Sequence, residues 1–159
     1  MSTMAQKLSV LGIEMGTSIE YGERILKTRF GEFNVYRKGT VELSTYYANI
    51  GGDEWHFVSF EYQNKYSSER VYSYLSRISF SSNFSDRGDA QRRFDYWKNL
   101  LLNKYTYFFD EKNNENDYTV FYKEGIWLNI NYGKSNGGDY FWYVTITYHE
   151  DFVDESNDY

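Results

Sequence analysis

Apolar and polar positions alternate along most of this chain, and the alternation predicts strands. "EFNVYRK" (32–38), "TVELSTYY" (40–47) and "EWHFVSFEY" (54–62) read as three in succession, divided by Gly39 and by Gly51-Gly52. "RVYSYLSRISFS" (70–81), rich in β-branched and aromatic residues, predicts a fourth. "YTVFYK", "GIWLNINY" and "YFWYVTITYHE" follow later, after the polar "EKNNEND" (111–117), which reads as a loop. Two stretches switch to helical spacing. Thr17-Ser18-Ile19-Glu20 has the capping-box pattern, and Ile19, Gly22, Ile25, Leu26 and Phe30 recur behind it, so a helix is expected near 17–30. A second helix, capped by Asp86 or Asp89, carries Ala90, Phe94, Trp97, Leu101 and Tyr105 as one apolar stripe.

The chain writes a similar hairpin twice. Setting "FNVYRKGTVELSTYY" (33–47) on "YTVFYKEGIWLNINY" (118–132) places Val35 on Val120, Lys38 on Lys123, Leu43 on Leu128 and Tyr47 on Tyr132. One extra residue then aligns Gly51-Gly52-Asp53 with Gly137-Gly138-Asp139, Val58 with Val144 and Tyr62 with Tyr148. The second copy differs chiefly by an insertion of about ten residues around "EKNNEND". Two tandem repeats follow, residues 11–82 and 83–149, with flexible termini at 1–10 and 150–159. The expected fold is α+β, each repeat giving one helix and several antiparallel strands to a single curved sheet covered by helices on one face.

On that face the expected core is Val41, Leu43, Tyr47, Val58, Phe60 and Tyr62 from the first copy. The second supplies Ile126, Leu128, Ile130, Tyr132, Val144, Ile146 and Tyr148, packed under Ile25, Leu26, Phe94, Trp97 and Leu101. Period two then sends Tyr46, Trp55, Phe57, Trp127, Phe141 and Tyr143 to the other side, among Glu42, Ser44, Ser59, Asn129, Thr145 and Thr147. Large rings on an uncovered sheet face are the expected partner-binding surface, with Asp53 and Asp139 as candidate rim residues in their turns.

The order of helix, hairpin and strands, repeated once over residues 11–148, resembles the β-lactamase-inhibitor-protein-like fold. "GIEMGTSIEYGERIL", "LSRISF", "FDYWKNLLLNKY" and "YVTITY" are also similar to small exported bacterial domains, including outer-membrane-assembly lipoproteins of the BamE kind. The resemblance implies two αβ units joined into one curved sheet whose aromatic concave face grips a protein target. The chain departs from the inhibitor family in having no cysteine staples.

Composition narrows the chemistry. Among 159 residues stand 18 Tyr, 12 Phe and 4 Trp, side chains that suit half-buried sheets and interfaces alike. A net charge of -6 argues against nucleic acid as a partner. Without cysteine there is no disulfide, thiolate zinc site or thiol nucleophile. No apolar run approaches the roughly 18 residues of a transmembrane helix. "MSTMA" (1–5) has small residues where a signal peptide is cut, which would place the protein in the periplasm or cell envelope; an ordinary N-terminus would leave it cytoplasmic.

Catalytic signatures are missing from the sequence: no G-x-S-x-G, phosphate loop or H-E-x-x-H. His56 reads as structural, and His149-Glu150-Asp151 as a weak chelate in a fraying tail. Asp110, Glu111, Glu115 and Asp117 lack the ligand order of a calcium loop. Arg87-Gly88-Asp89 is better explained by helix capping than by integrin binding. No metal or cofactor is expected. The sequence reads as a non-enzymatic binding module that holds or inhibits a protein partner through its aromatic sheet face. A carbohydrate-binding role, an envelope-associated structural role and a homodimer are the alternatives.

Overall fold

The computed structural model describes residues 9–10, 13–38, 40–66, 71–104, 109–114, 116–123, 126–136, 138 and 140–150. Two short strands, β1 (Ser9–Val10) and β2 (Ile13–Glu14), pair with each other ahead of helix α1 (Ile19–Phe30). A meander follows: β3 (Asn34–Lys38), β4 (Thr40–Ile50), β5 (Asp53–Tyr66) and β6 (Val71–Phe84). Helix α2 (Arg87–Lys104) opens a second meander of β7 (Phe109–Asn114), β8 (Asp117–Lys123), β9 (Ile126–Lys134) and β10 (Trp142–Glu150). The fold is α+β, with one antiparallel sheet of eight strands in the order β3-β4-β5-β6-β10-β9-β8-β7.

Period two decides which face is buried. Val41, Leu43, Val58, Phe60, Tyr62, Ile78 and Phe80 point to one side of the first meander. Ile126, Leu128, Ile130, Tyr132, Val144, Ile146 and Tyr148 continue that side across the second. Both helices cover it. Leu26 of α1 and Ala90, Phe94, Trp97 and Leu101 of α2 are buried against it. The Phe94 ring lies 4.8 Å from that of Tyr132, and Trp97 meets Trp55 edge-on at 5.5 Å. Each such side chain contributes about 1.5–3 kcal/mol by leaving water.

The helix starts are set differently from one another. Asp86 caps α2, its Oδ1 accepting from the Gly88 N–H at 2.8 Å. The capping box expected at α1 does not form: Ser18 makes no side-chain cap bond, and the Thr17 hydroxyl is buried without a partner. Backbone pairing replaces it, with Gly16 N donating to Leu75 O at 2.8 Å and Leu75 N to Thr17 O at 2.9 Å. This stitch to β6 holds the segment whatever the hydroxyls do.

Three further expectations need correction. Much of "EKNNEND" is strand, since β7 ends at Asn114 and β8 begins at Asp117. Its polarity is that of an outermost strand with one side facing solvent. The two Gly-Gly-Asp turns are not alike. Gly51 and Gly52 have φ +63° and +86°, the left-handed pair of a two-residue hairpin. The later turn is wider, closed by Ser135 N donating to Phe141 O at 2.8 Å; Gly137 and Asp139 lie outside the described residues.

The third correction matters most for the site. Tyr47, expected in the core, is exposed and has φ +56°. From this residue on, the alternation along β4 is shifted by one, while its pairing with β5 keeps a single register. The apolar core positions of β4 therefore run Val41 and Leu43, then Ala48 and Ile50. On β5 the alternation changes at the same level, and Trp55, which pairs with Ala48, lies in the core with no exposed area. Trp55 is not on the open face.

The remaining expectations at the termini fall outside the described residues: "MSTMA", Asp151 and the rest of the acidic tail, and Tyr105.

Candidate functional site

The face opposite the helices has a regular interior. One register line crosses it from β4 to β8 through Ser44, Ser59, Ser79, Thr147, Asn129 and Thr119. On the second meander these short polar groups bond to one another. Asn129 Nδ2 donates to Asp117 Oδ1 at 2.6 Å and Thr119 Oγ1 at 2.9 Å, and Asn131 Nδ2 donates to Asn129 Oδ1 at 2.6 Å.

Aromatic rings gather at one end of this face. Tyr46 and Phe57 stand opposite each other on β4 and β5 with ring centroids 5.3 Å apart. His56 lies 5.7 Å from Tyr47 and 5.8 Å from Tyr140. The ladder between β5 and β6 ends at Phe57 and Ser81, and the His56 Nδ1 takes its place by accepting from the Asn83 N–H at 3.1 Å. Tyr143 pairs with both Asn83 and Gly133, and its phenol lies across Gly133, where a Cβ would come within 2.6 Å of the hydroxyl. Tyr46 is 58% exposed, Tyr47 69%, Tyr140 51% and Phe141 48%. Such a concentration of wet rings is unusual on a monomer surface.

Of the residues singled out in the sequence, the structure brings Tyr46, Phe57, Phe141 and Tyr143 to this end. Trp127 is on the same face but apart: it stacks on His149 at 4.8 Å, where the His149 Nδ1 accepts from Arg77 Nε at 3.4 Å. Asp53 is committed elsewhere. Its Oδ2 accepts from Trp97 Nε1 at 2.6 Å and faces Arg93 Nε at 3.4 Å, fixing the β4–β5 turn to α2. Asp139 lies outside the described residues. Tyr47, His56 and Tyr140 were missed by the sequence reading. Proximity of Tyr140 to the second Gly-Gly-Asp turn was the available signal; nothing in the sequence marks Tyr47 as left-handed.

A cleft of about 570 Å³ opens on the helix side, lined by Gly51, Gly52, Phe84, Arg92, Arg93 and Tyr96 among others. Its chemistry is that of a buttress. Arg93 donates to Glu54 O at 2.9 Å, and its guanidinium lies 5.0 Å from the Trp55 ring and 5.2 Å from Phe84. Burial lowers the Arg93 pKa, while Asp53 and Glu54 act the other way to keep the cation. No group of three or more His, Asp or Glu able to hold a metal occurs among the described residues.

No family model, curated protein or solved structure matches this chain. The candidate site therefore rests on its own geometry. The left-handed Tyr47 is the residue in it that holds a sparsely populated backbone conformation, a state that persists only where its surroundings impose it. Two substitutions separate the backbone from the ring. Tyr47→Gly should leave the fold at least as stable, because glycine accepts φ +56° freely. Tyr47→Val removes the same exposed ring but should cost about 1–2 kcal/mol, since a β-branched residue resists that conformation. Urea denaturation of the two variants checks the difference.

Proposed function

We propose that the protein is a non-catalytic binding module that captures or inhibits a protein partner on its open sheet face, anchored at the aromatic end. One observation carries this reading: Tyr46, Tyr47, Tyr140 and Phe141 all stay exposed toward the turn end of the sheet, whereas Trp55, Phe60, Tyr62, Phe80, Phe94 and Trp97 are buried in the core. Rigid rings beside short hydroxyl and amide side chains supply contact area at small entropic cost, the composition of interface anchors.

The likeness to inhibitor-protein domains belongs to this proposal, as does descent of the two halves from one duplicated unit. In support, each helix precedes a four-strand meander, and the meanders meet β6 to β10, so the strand order reads the same from either edge. The residue match is one strand out of step with that symmetry. It sets β5 on β10, whereas the order of the sheet sets β6 opposite β10. Any duplication has thus kept the unit's topology better than its hairpin positions.

Tyr46→Ala and Phe141→Ala should each weaken capture of a partner recovered from the native host by about 1–2 kcal/mol, with melting unchanged. Leu100→Ala, an exposed position on α2, should have no effect. Parental binding by both aromatic variants would remove the proposal. The half-buried polar line of Ser59, Ser79, Thr147 and Asn129 favours a second reading, an oligosaccharide lying along these groups and stacking on Tyr46 and Phe57. A change in protein fluorescence with soluble neutral glycans would support it over the first.

A further inference from the structure

Strand β3 is one of the two outer strands of the sheet. Among the described residues its only neighbour is β4. Helix α1 rests chiefly on β4 and β6. Val35, which sits opposite Leu43 and shares its inward direction, is 45% exposed, and Tyr36 is 59% exposed. A groove of about 430 Å³ runs beside it, with Phe33 on one side and Glu20, Glu23, Arg24 and Lys27 of α1 on the other. An edge of this kind offers a row of backbone donors and acceptors to another strand.

The sequence of the edge indicates which strand that is. "EFNVYRK" (32–38) is complementary to itself read backwards about Val35. We propose that β3 pairs antiparallel with β3 of a second copy, about a two-fold axis through Val35, joining two sheets into one. Val35 then faces the second copy's Val35, Asn34 its Tyr36, Phe33 its Arg37 and Glu32 its Lys38. Symmetry makes each unlike pair twice. The central pair covers apolar surface that the monomer leaves wet. Continued through the two residues ahead of β3, the same register sets Phe33 at the level of Arg37 and Glu32 at the level of Lys38, unlike charges in the second case. Basic residues on an edge ordinarily guard it, because an arriving strand leaves them without partners. Here the same chain brings the acid that answers the base. A foreign strand would have to supply an acid for Lys38 and a base for Glu32 at this spacing. The pairing is independent of what the open face binds.

Sedimentation equilibrium of the full chain into the high micromolar range tests it. The parent should show a reversible dimer. Lys38→Glu and Glu32→Lys each set like charges opposite one another twice, and each should raise the dimer Kd about tenfold or more. An equimolar mixture of the two variants should associate again, because the lysines of one chain meet the glutamates of the other at both positions. Val35→Glu, which sets two carboxylates across the axis, should dissociate the dimer irrespective of the flanking charges. A parent that stays monomeric throughout, single variants that dimerise as tightly as the parent, or a mixture that fails to associate would each overturn the proposal.

Discussion

Trp97→Ala should lower the stability of the fold by about 3–5 kcal/mol, among the largest losses available to a single truncation. Trp97 is buried and meets Trp55 edge-on. Its ring also lies over Gly51, where an added Cβ would come within 2.6 Å of it. Its Nε1 donates to Asp53, which in turn faces Arg93. Truncation opens a void beneath the β4–β5 turn and removes a donor from a half-buried carboxylate at the same time. Trp97→Phe keeps one ring but gives up the donor and some of the volume, so it should fall between, at about 1.5–3 kcal/mol. Urea midpoints give both values. A cost below about 1 kcal/mol for Trp97→Ala would mean that α2 does not brace this turn.

Gly22→Ala should also be costly, although alanine is the better helix former by about 1 kcal/mol. Gly22 lies inside α1, and a Cβ there would come within 1.6 Å of the Tyr62 hydroxyl and 2.8 Å of its Cζ. Tyr62 is fully buried and its hydroxyl has no hydrogen-bond partner. Overpacking of this kind costs about 1–3 kcal/mol and sometimes more. Tyr62→Phe removes the hydroxyl, so it should be neutral or stabilising alone and should recover much of the loss in the Gly22→Ala background. Burial, reinforced by Glu23 and Glu20, pushes the Tyr62 phenol well above its ordinary pKa of 10.0. The sign of the linkage follows. The unfolded chain releases this proton first, so the parent loses stability as pH rises above about 10, and Tyr62→Phe should lose less. Additive single and double variants would show that position 22 and the hydroxyl do not touch.

Most of the fold was legible because it is written in side-chain period. The inward sets Val58, Phe60 and Tyr62, and Val144, Ile146 and Tyr148, follow from alternation alone, as does the α2 stripe from Ala90 to Leu101. Failures came where one residue's backbone or position in the sheet overrides that period. Tyr47 adopts a left-handed conformation that tyrosine composition does not announce, and at the same level Trp55 turns from the predicted open face into the core. The polar β7 reads as a loop because its composition lacks the apolar alternation of the inner strands, and its place is at the edge of the sheet. Two similar hairpin sequences were visible, but which strand meets which across the centre is a long-range choice that no local pattern encodes.

The site was half legible for the same reason. Tyr46, Phe57, Phe141 and Tyr143 were assigned to the open face by counting twos. Their meeting with Tyr47, His56 and Tyr140 depends on the slip at Tyr47 and on the wide turn ahead of β10. Trp127 was assigned to the same face; its stack on His149 belongs to another part of the sheet.

Hydroxyl-radical footprinting of the free chain, read residue by residue, asks most directly whether one side of the β-layer is left bare. Tyr46, Tyr140 and Phe141 should be modified quickly, and Trp55, Trp97 and Phe94 should stay protected until the chain unfolds. Rapid modification of Trp55 with Tyr46 shielded would contradict the account, because the helices would then lie over the rings assigned to solvent.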